Sequence, residues 1–106
     1  MSKFRVQPRA LDRIDDIFDH TRATWGAEQA ERYVRGLVAR FEAIAARNFP
    51  WRTIPAEIGL DGYYCRYESH FIYWRVAANG DVVVMTVLHA RMHQAKRLRD
   101  DFTVDF

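Results

Sequence analysis

Residues that could do chemistry gather around an apolar run near the C-terminal end of the sequence. Residues 82–88, VVVMTVL, are all apolar or β-branched, as in a strand buried inside a sheet. Arginines and histidines lie on the predicted strands or just past the last one: Arg66, Arg75, His89, Arg91 and His93. Because arginine binds phosphate groups and histidine transfers protons near neutral pH, this set could serve a metal-free ribonuclease.

Each of these side chains also has a structural interpretation. Arg66 can be a solvated strand charge, and His89 can be a hydrogen-bonded anchor at a strand end. Between residues 63 and 89 there is no lysine to help hold phosphate groups. The sequence therefore names no catalytic residue outright, and it leaves a nuclease site made of Arg66, His89 and Arg91 as an alternative.

No metal or cofactor motif accompanies these residues. His89 and His93 are four residues apart, but no third ligand is nearby. The five glycines are scattered and form no phosphate-binding loop. Cys65 is the single cysteine, which excludes an internal disulfide, and its mid-strand position favours a small buried role. We therefore expect neither a metal nor a cofactor.

Two helices and four strands must position the cluster. Residues 3–7 alternate polar and apolar, which predicts a short strand. Residues 8–24 and 27–47 have helical periodicity, and Gly26 between them predicts a tight helical hairpin. In the first helix, the apolar stripe that we expect to face the core is Leu11, Ile14, Phe18 and Trp25.

The second half of the chain predicts a β-meander. Residues 48–62 have no period and should form an apolar loop packed on the domain. Strands are predicted at 63–67, 71–76 and 82–89, with Asn79-Gly80 as a hairpin turn, and a last helical turn or two at 94–102. The predicted fold is α+β: a strand, a helical hairpin and a three-stranded antiparallel meander, β-α-α-β-β-β.

Composition indicates one domain that is soluble and cytoplasmic. Of 106 residues, 49% are hydrophobic, the longest apolar run has seven residues, and the first ten lack the apolar core of a secretory signal. The formal net charge is only +2, but residues 89–99 hold four arginine or lysine side chains and no acid. Such a patch suits nucleic acid or an acidic protein segment. We expect a domain at 1–99 and an acidic tail at 100–106.

The ordered pattern of residues resembles the ParE-type toxins of the ParE/RelE superfamily, often described as plasmid-stabilisation proteins. The resemblance spans about residues 4–98. It is carried by Val6, Pro8 and Ala10, by Asp15–Ile17, by Trp25-Gly26 with Gln29-Ala30 and Tyr33, by Gly62-Tyr63-Tyr64 with Arg66, by His70 with Ile72-Tyr73, and by Val87–Met92.

The resemblance implies a toxin of a bacterial type II toxin–antitoxin module. ParE-like members poison DNA gyrase by stabilising its cleaved DNA complex and are not enzymes, whereas RelE-like members cleave mRNA in the ribosome. Both are neutralised by an antitoxin, and ParE-type partners add a ribbon-helix-helix domain through which the complex contacts DNA. A toxin fold that serves only as an antitoxin-binding corepressor is a third alternative.

Two features favour ParE over RelE. The Trp25-Gly26 and Leu88–Met92 segments resemble ParE, and Met92 and His93 stand where some nucleases have a catalytic tyrosine. The cluster after the last strand is then a contact surface for the target: His89, Arg91, Met92 and His93.

Antitoxin binding is expected on aromatic side chains beside the helical hairpin and on the basic run, which suits an acidic segment. The predicted contacts are Trp51, Tyr64, Phe71, Trp74 and Arg97. Free toxin should therefore expose part of this aromatic surface.

Overall fold

Five strands and three helices make up the computed structural model, which describes residues 3–102. In chain order they are β1 (Phe4–Val6), α1 (Pro8–Trp25), α2 (Ala27–Ala45), β2 (Arg52–Thr53), β3 (Tyr63–Tyr67), β4 (His70–Val76), β5 (Val82–His89) and α3 (Gln94–Asp101). One sheet has the order β1-β5-β4-β3-β2. The pairing of β1 with β5 is parallel, and the other pairings are antiparallel.

The predicted α+β class and element order are confirmed, with one strand added to the sheet. The two-residue strand β2 lies in the stretch predicted as loop, and it pairs with the first residues of β3. A strand of two residues is too short to show the alternation of apolar and polar residues by which strands are recognised in a sequence. β5 is an interior strand, as its apolar run predicts, because β1 and β4 flank it.

The helical hairpin turns on a single residue. Pro8 opens α1, where its missing N–H costs no hydrogen bond. Gly26 alone separates the helices at φ +95°, a conformation that glycine adopts without steric cost. Its N–H donates to the carbonyl of Arg22, and its own carbonyl accepts from the N–H of Ala30.

The predicted core stripe of α1 is wrong at its two ends, Leu11 and Trp25, whereas Ile14 packs against the core and Phe18 is half-buried. Ala10 and Ile17 are the buried residues of this helix, whereas Leu11 is 50% exposed and Trp25 is 73% exposed. A small residue at position 10 lets the helix approach closely, which turns the larger Leu11 outward. Periodicity alone could not choose between two adjacent stripes of similar apolar content.

The sheet has two packed faces. On the helix face, Ile72, Trp74 and three β5 valines pack against α1 and α2. On the opposite face, which we call the outer face, Leu98 and Phe102 pack against Tyr73, Val83, Met85 and Leu88. Because successive strand residues point to opposite faces, a strand covered on both sides is buried along its whole length, as Val82 to Leu88 are. The one polar side chain among these residues, Thr86, has its hydroxyl in a hydrogen bond.

A β-bulge interrupts the alternation along β5. Tyr73 is opposite Thr86, but the next residue of β4, Trp74, is opposite Val84, which leaves Met85 without a partner. One extra residue shifts the alternation of facing by one position for every residue after it. Val84 before the bulge and Val87 after it therefore both face the helices.

A buried carboxylate ties α3 to the rest of the domain. Asp101 is fully buried, and its carboxylate accepts hydrogen bonds from Arg13 on α1 at 3.0 and 3.2 Å and from the Thr86 hydroxyl at 2.6 Å. Arg9 lies 3.8 Å from the same group. The predicted boundary between domain and acidic tail thus falls inside α3, while residues 103–106 lie outside the described part of the chain.

Replacing Asp101 with alanine should destabilise the fold by about 3 kcal/mol, because Arg13 and Thr86 would lose their buried acceptor. Urea unfolding measures the change. Glu31→Ala is the matched control: it also removes one carboxylate from an arginine, but the pair with Arg35 is exposed, so the loss should be about 0.5 kcal/mol or less. Equal losses in the two variants would contradict the role assigned to Asp101.

Candidate functional site

A groove lies between α1 and the ends of β4 and β5. Two adjoining cavities, of about 280 and 210 Å³, share His20, Thr21, His70 and His89 in their walls. We call this the histidine groove. Three of the four histidines in the sequence meet here, although they come from three different elements.

His70 forms the floor of the groove. It is buried, and its Nδ1 shares a hydrogen bond of 2.6 Å with the Tyr33 hydroxyl on α2. The ring of His89 stands edge-on to it at a centroid distance of 5.1 Å. Burial, reinforced by the neighbouring His89 and His20, lowers the pKa of His70 to about 4. His70 is therefore neutral at physiological pH and anchors the groove floor through Tyr33.

The rim of the groove is where side chains reach solvent. Met92 is 38% exposed and lines one end, and Trp25 lines the other. The backbone N–H of Arg91 donates to Nδ1 of His89, which fixes the turn after β5. His93 begins α3, and its Nδ1 accepts from the N–H of Lys96. All four predicted target-contact residues thus lie in the one turn after β5, where His89 and Met92 line the groove and His93 caps a helix.

Two rim residues escaped the sequence-based prediction. Trp25 was assigned to the core stripe of α1, and His20 lies among polar residues of the same helix. One sequence feature could have indicated that Trp25 is exposed: it stands immediately before the glycine that ends the helix, where the chain reverses. Packing around the last helical residue is incomplete at such a turn.

The residues of the nuclease alternative, Arg66, His89 and Arg91, do not meet in one site. Arg66 pairs with Phe71 on the outer face, and its guanidinium carbon lies 5.5 Å from the Phe71 ring centroid. His89 pairs with His70 on the helix face. Arg66 and His89 therefore point to opposite sides of the sheet, because Phe71 and His70 are successive residues of β4.

Antitoxin contacts predicted from the aromatic residues divide into two groups. Trp74 is fully buried in the core, so we remove it from the predicted contact surface. Trp51 is half-buried, and its indole N–H donates to the carbonyl of Ile44. Tyr64 and Phe71 are half-buried on the outer face, and Arg97 is exposed on α3. These four remain available to a partner.

Residues 3–102 offer neither a metal-binding cluster nor a membrane-spanning helix. This part of the chain contains no group of three or more histidine, cysteine, aspartate or glutamate side chains placed to hold a metal ion. None of its helices is long and apolar enough to cross a membrane. Cys65 is buried, as predicted, and burial raises the pKa of its thiol.

Comparison with known proteins agrees with this architecture. Residues 4–94 match the family described as "ParE toxin of type II toxin-antitoxin system, parDE". Toxin ParE1 of Caulobacter vibrioides is 35% identical over 92% of this chain and 99% of its own length. Toxin ParE1 of Mycobacterium tuberculosis is 32% identical over 92% and 98%. A solved structure, "Chromosomal ParDE TA system from P. aeruginosa", has a TM-score of 0.68 at 18% identity, covering 84% of this chain and 96% of the other.

The fold and the family match define a toxin of a type II toxin–antitoxin system. This chain belongs to the ParE toxin family.

Acid should weaken the fold through His70. Its pKa is near 6.5 when exposed and about 4 in the folded chain, so between these values the unfolded state takes up a proton that the folded state does not. Stability must then fall as pH drops from about 6.5 towards 4. We expect the Tm to fall by about 4 °C or more between pH 7 and pH 5, and His70→Asn to flatten this dependence.

The matched control for this experiment is His93→Asn. It makes the same substitution at an exposed position, where asparagine can still cap α3. This control should retain the pH dependence of the parent protein. A steep dependence that survives in His70→Asn would show that other groups cause it.

Proposed function

We propose that this ParE-family toxin inhibits DNA gyrase by stabilising the complex in which gyrase has cleaved DNA. The observation that carries the proposal is family membership over nearly the whole chain, with relatives of 32–35% identity that are named ParE1 toxins. Gyrase poisoning is the activity implied by the ParE resemblance. Such a protein acts in the cytoplasm, as an inhibitor rather than as an enzyme.

The rim of the histidine groove is the proposed contact surface for gyrase. Arg91, Met92 and His93 are exposed, and Trp25 presents the most exposed large apolar side chain among the described residues. Aromatic, arginine and methionine side chains are enriched where proteins bind one another. A rigid support helps such contacts, and here β5 and the capped start of α3 hold the turn.

The partner that neutralises the toxin is proposed to be a ParD-like antitoxin with a ribbon-helix-helix domain. Trp51, Tyr64, Phe71 and Arg97 are the proposed contacts. Half-buried aromatic rings can accept apolar side chains of an added segment, and Arg97 suits an acidic one. The complex would contact operator DNA through the antitoxin.

A ribosome-dependent nuclease is disfavoured because Arg66 and His89 lie on opposite faces of the sheet. Primer extension on mRNA in a translating extract tests it directly, and codon-phased cuts would overturn the gyrase proposal.

Purified toxin added to gyrase, supercoiled DNA and ATP should accumulate linear, gyrase-cleaved DNA. Arg91→Ala combined with Met92→Ala should reduce this trapping by about thirtyfold, since an interface hot spot contributes about 2 kcal/mol. The fold should be kept, because both side chains lie outside the core. Thermal melts establish that point.

Arg35→Ala combined with Val38→Ala is the matched control. It also removes one exposed arginine and one partly exposed apolar residue, 37% exposed in the case of Val38, but from α2. Trapping should be unchanged in this control. Full trapping by the Arg91/Met92 variant would refute the contact surface, and absence of trapping by the parent chain would refute the target.

A further inference from the structure

The outer face of β2, β3 and β4 carries arginines and aromatic rings and no carboxylate. Strand register puts Arg52, Tyr64 and Tyr73 in one cross-strand row, and Arg66 with Phe71 in the next. Arg75 follows two residues after Tyr73 on β4. Side chains directly opposite each other on paired strands share a face, so this stretch of sheet is uniformly basic and aromatic.

Only part of the outer face is covered. Leu98 and Phe102 cover the β5 side and bury Tyr73, whose hydroxyl donates to Gln94 at 2.8 Å. Beyond them, Arg52 and Arg66 are exposed, and Tyr64 and Phe71 are half-buried. These last four side chains, with Phe49 and Pro50, line a depression of about 430 Å³, which we call the arginine–aromatic groove.

Ring geometry in the groove leaves aromatic surface available. The rings of Tyr64 and Phe71 are 6.1 Å apart at 63°, so neither covers the other face to face. The Arg66 guanidinium lies over the Phe71 ring and is held by a hydrogen bond from Nε to the Glu68 carbonyl. Arg66 thus covers one face of Phe71, and Tyr64 stacks on Tyr73 at 5.9 Å and 26°, so a flat molecule would stack on the opposite faces of Phe71 and Tyr64.

We propose that the arginine–aromatic groove binds single-stranded nucleic acid. Arginines contact phosphates, and aromatic rings stack with unpaired bases without regard to sequence. A duplex keeps its bases stacked internally and cannot use the rings. An acidic peptide that lacks apolar side chains could use the arginines but gains little from the ring faces. The net charge of only +2 means that attraction comes from this face rather than from the chain as a whole.

This inference goes beyond gyrase inhibition and does not depend on it. It does imply competition, because Tyr64 and Phe71 are also proposed antitoxin contacts. An antitoxin seated on this face would displace the nucleic acid.

The test measures binding of the full-length chain to fluorescent oligothymidylate of about 16 nucleotides, the upper range for a small single-strand site. Arg52→Gln combined with Arg66→Gln should weaken binding by about tenfold or more. It should also reduce the slope of log K against log salt by about 1.4, the value for two lost phosphate contacts. Phe71→Leu should weaken binding by about fivefold with an unchanged slope, because it removes a stacking ring and no charge.

Arg32→Gln combined with Arg35→Gln removes the same charge from the exposed side of α2 and should change binding by less than about twofold. Equal losses in both arginine pairs, or equal binding of a duplex, would overturn the proposal. So would binding of polyglutamate in place of oligothymidylate, since the groove would then be a site for acidic peptides. The gyrase cleavage assay on the same variants is a separate measurement. Loss of oligothymidylate binding by the parent chain would count against the groove alone, and loss of DNA trapping by the parent chain would count against gyrase alone.

Discussion

The need to cover β5 on both faces determines the arrangement of the domain. Seven consecutive residues, Val82 to Leu88, are buried, so apolar groups must meet this strand above and below. α1 and α2 meet it on one side, and α3 meets it on the other. Asp101 then fixes the short α3 by joining it to α1 and to β5. Without that carboxylate, the eight residues of this helix would be held to the sheet by the packing of Leu98 and Phe102 and by the hydrogen bonds of Gln94 with Tyr73 and His89.

The helices on the two faces of the sheet differ in number and length. Each proposed functional surface lies at the edge of the area that the helices of one face cover. Two long helices cover one face, and the histidine groove opens where α1 passes the ends of β4 and β5. One short helix covers the other face near β5, and Ile54, Ile58 and Leu60 pack beside it, which leaves Arg52 and Arg66 exposed and Tyr64 and Phe71 half-buried. A partner that covers the rest of this face would bury the half-exposed rings of Tyr64 and Phe71.

Sequence patterns predicted the elements well and the facing of individual side chains less well. The apolar run of β5, the Asn79-Gly80 turn and Gly26 each have one local explanation, and the structure agrees with all three. Trp25 and Trp74 could not be sorted into exposed and buried from the sequence, because that depends on packing between distant segments. Counting alternate residues along β5 would place His89 on the wrong face, because Met85 is unpaired and a sequence of apolar residues does not show where a strand bulges.

The bulge in β5 also bears on how such a fold can change over generations. Val84 and Thr86 flank the unpaired Met85 and already face opposite sides of the sheet, with Trp74 and Tyr73 as their partners. Deleting the single codon for Met85 would therefore restore a regular ladder, and His89 would still lie opposite His70 on the helix face. A lineage built on this strand can gain or lose one residue at this position without changing which polar side chains each surface carries.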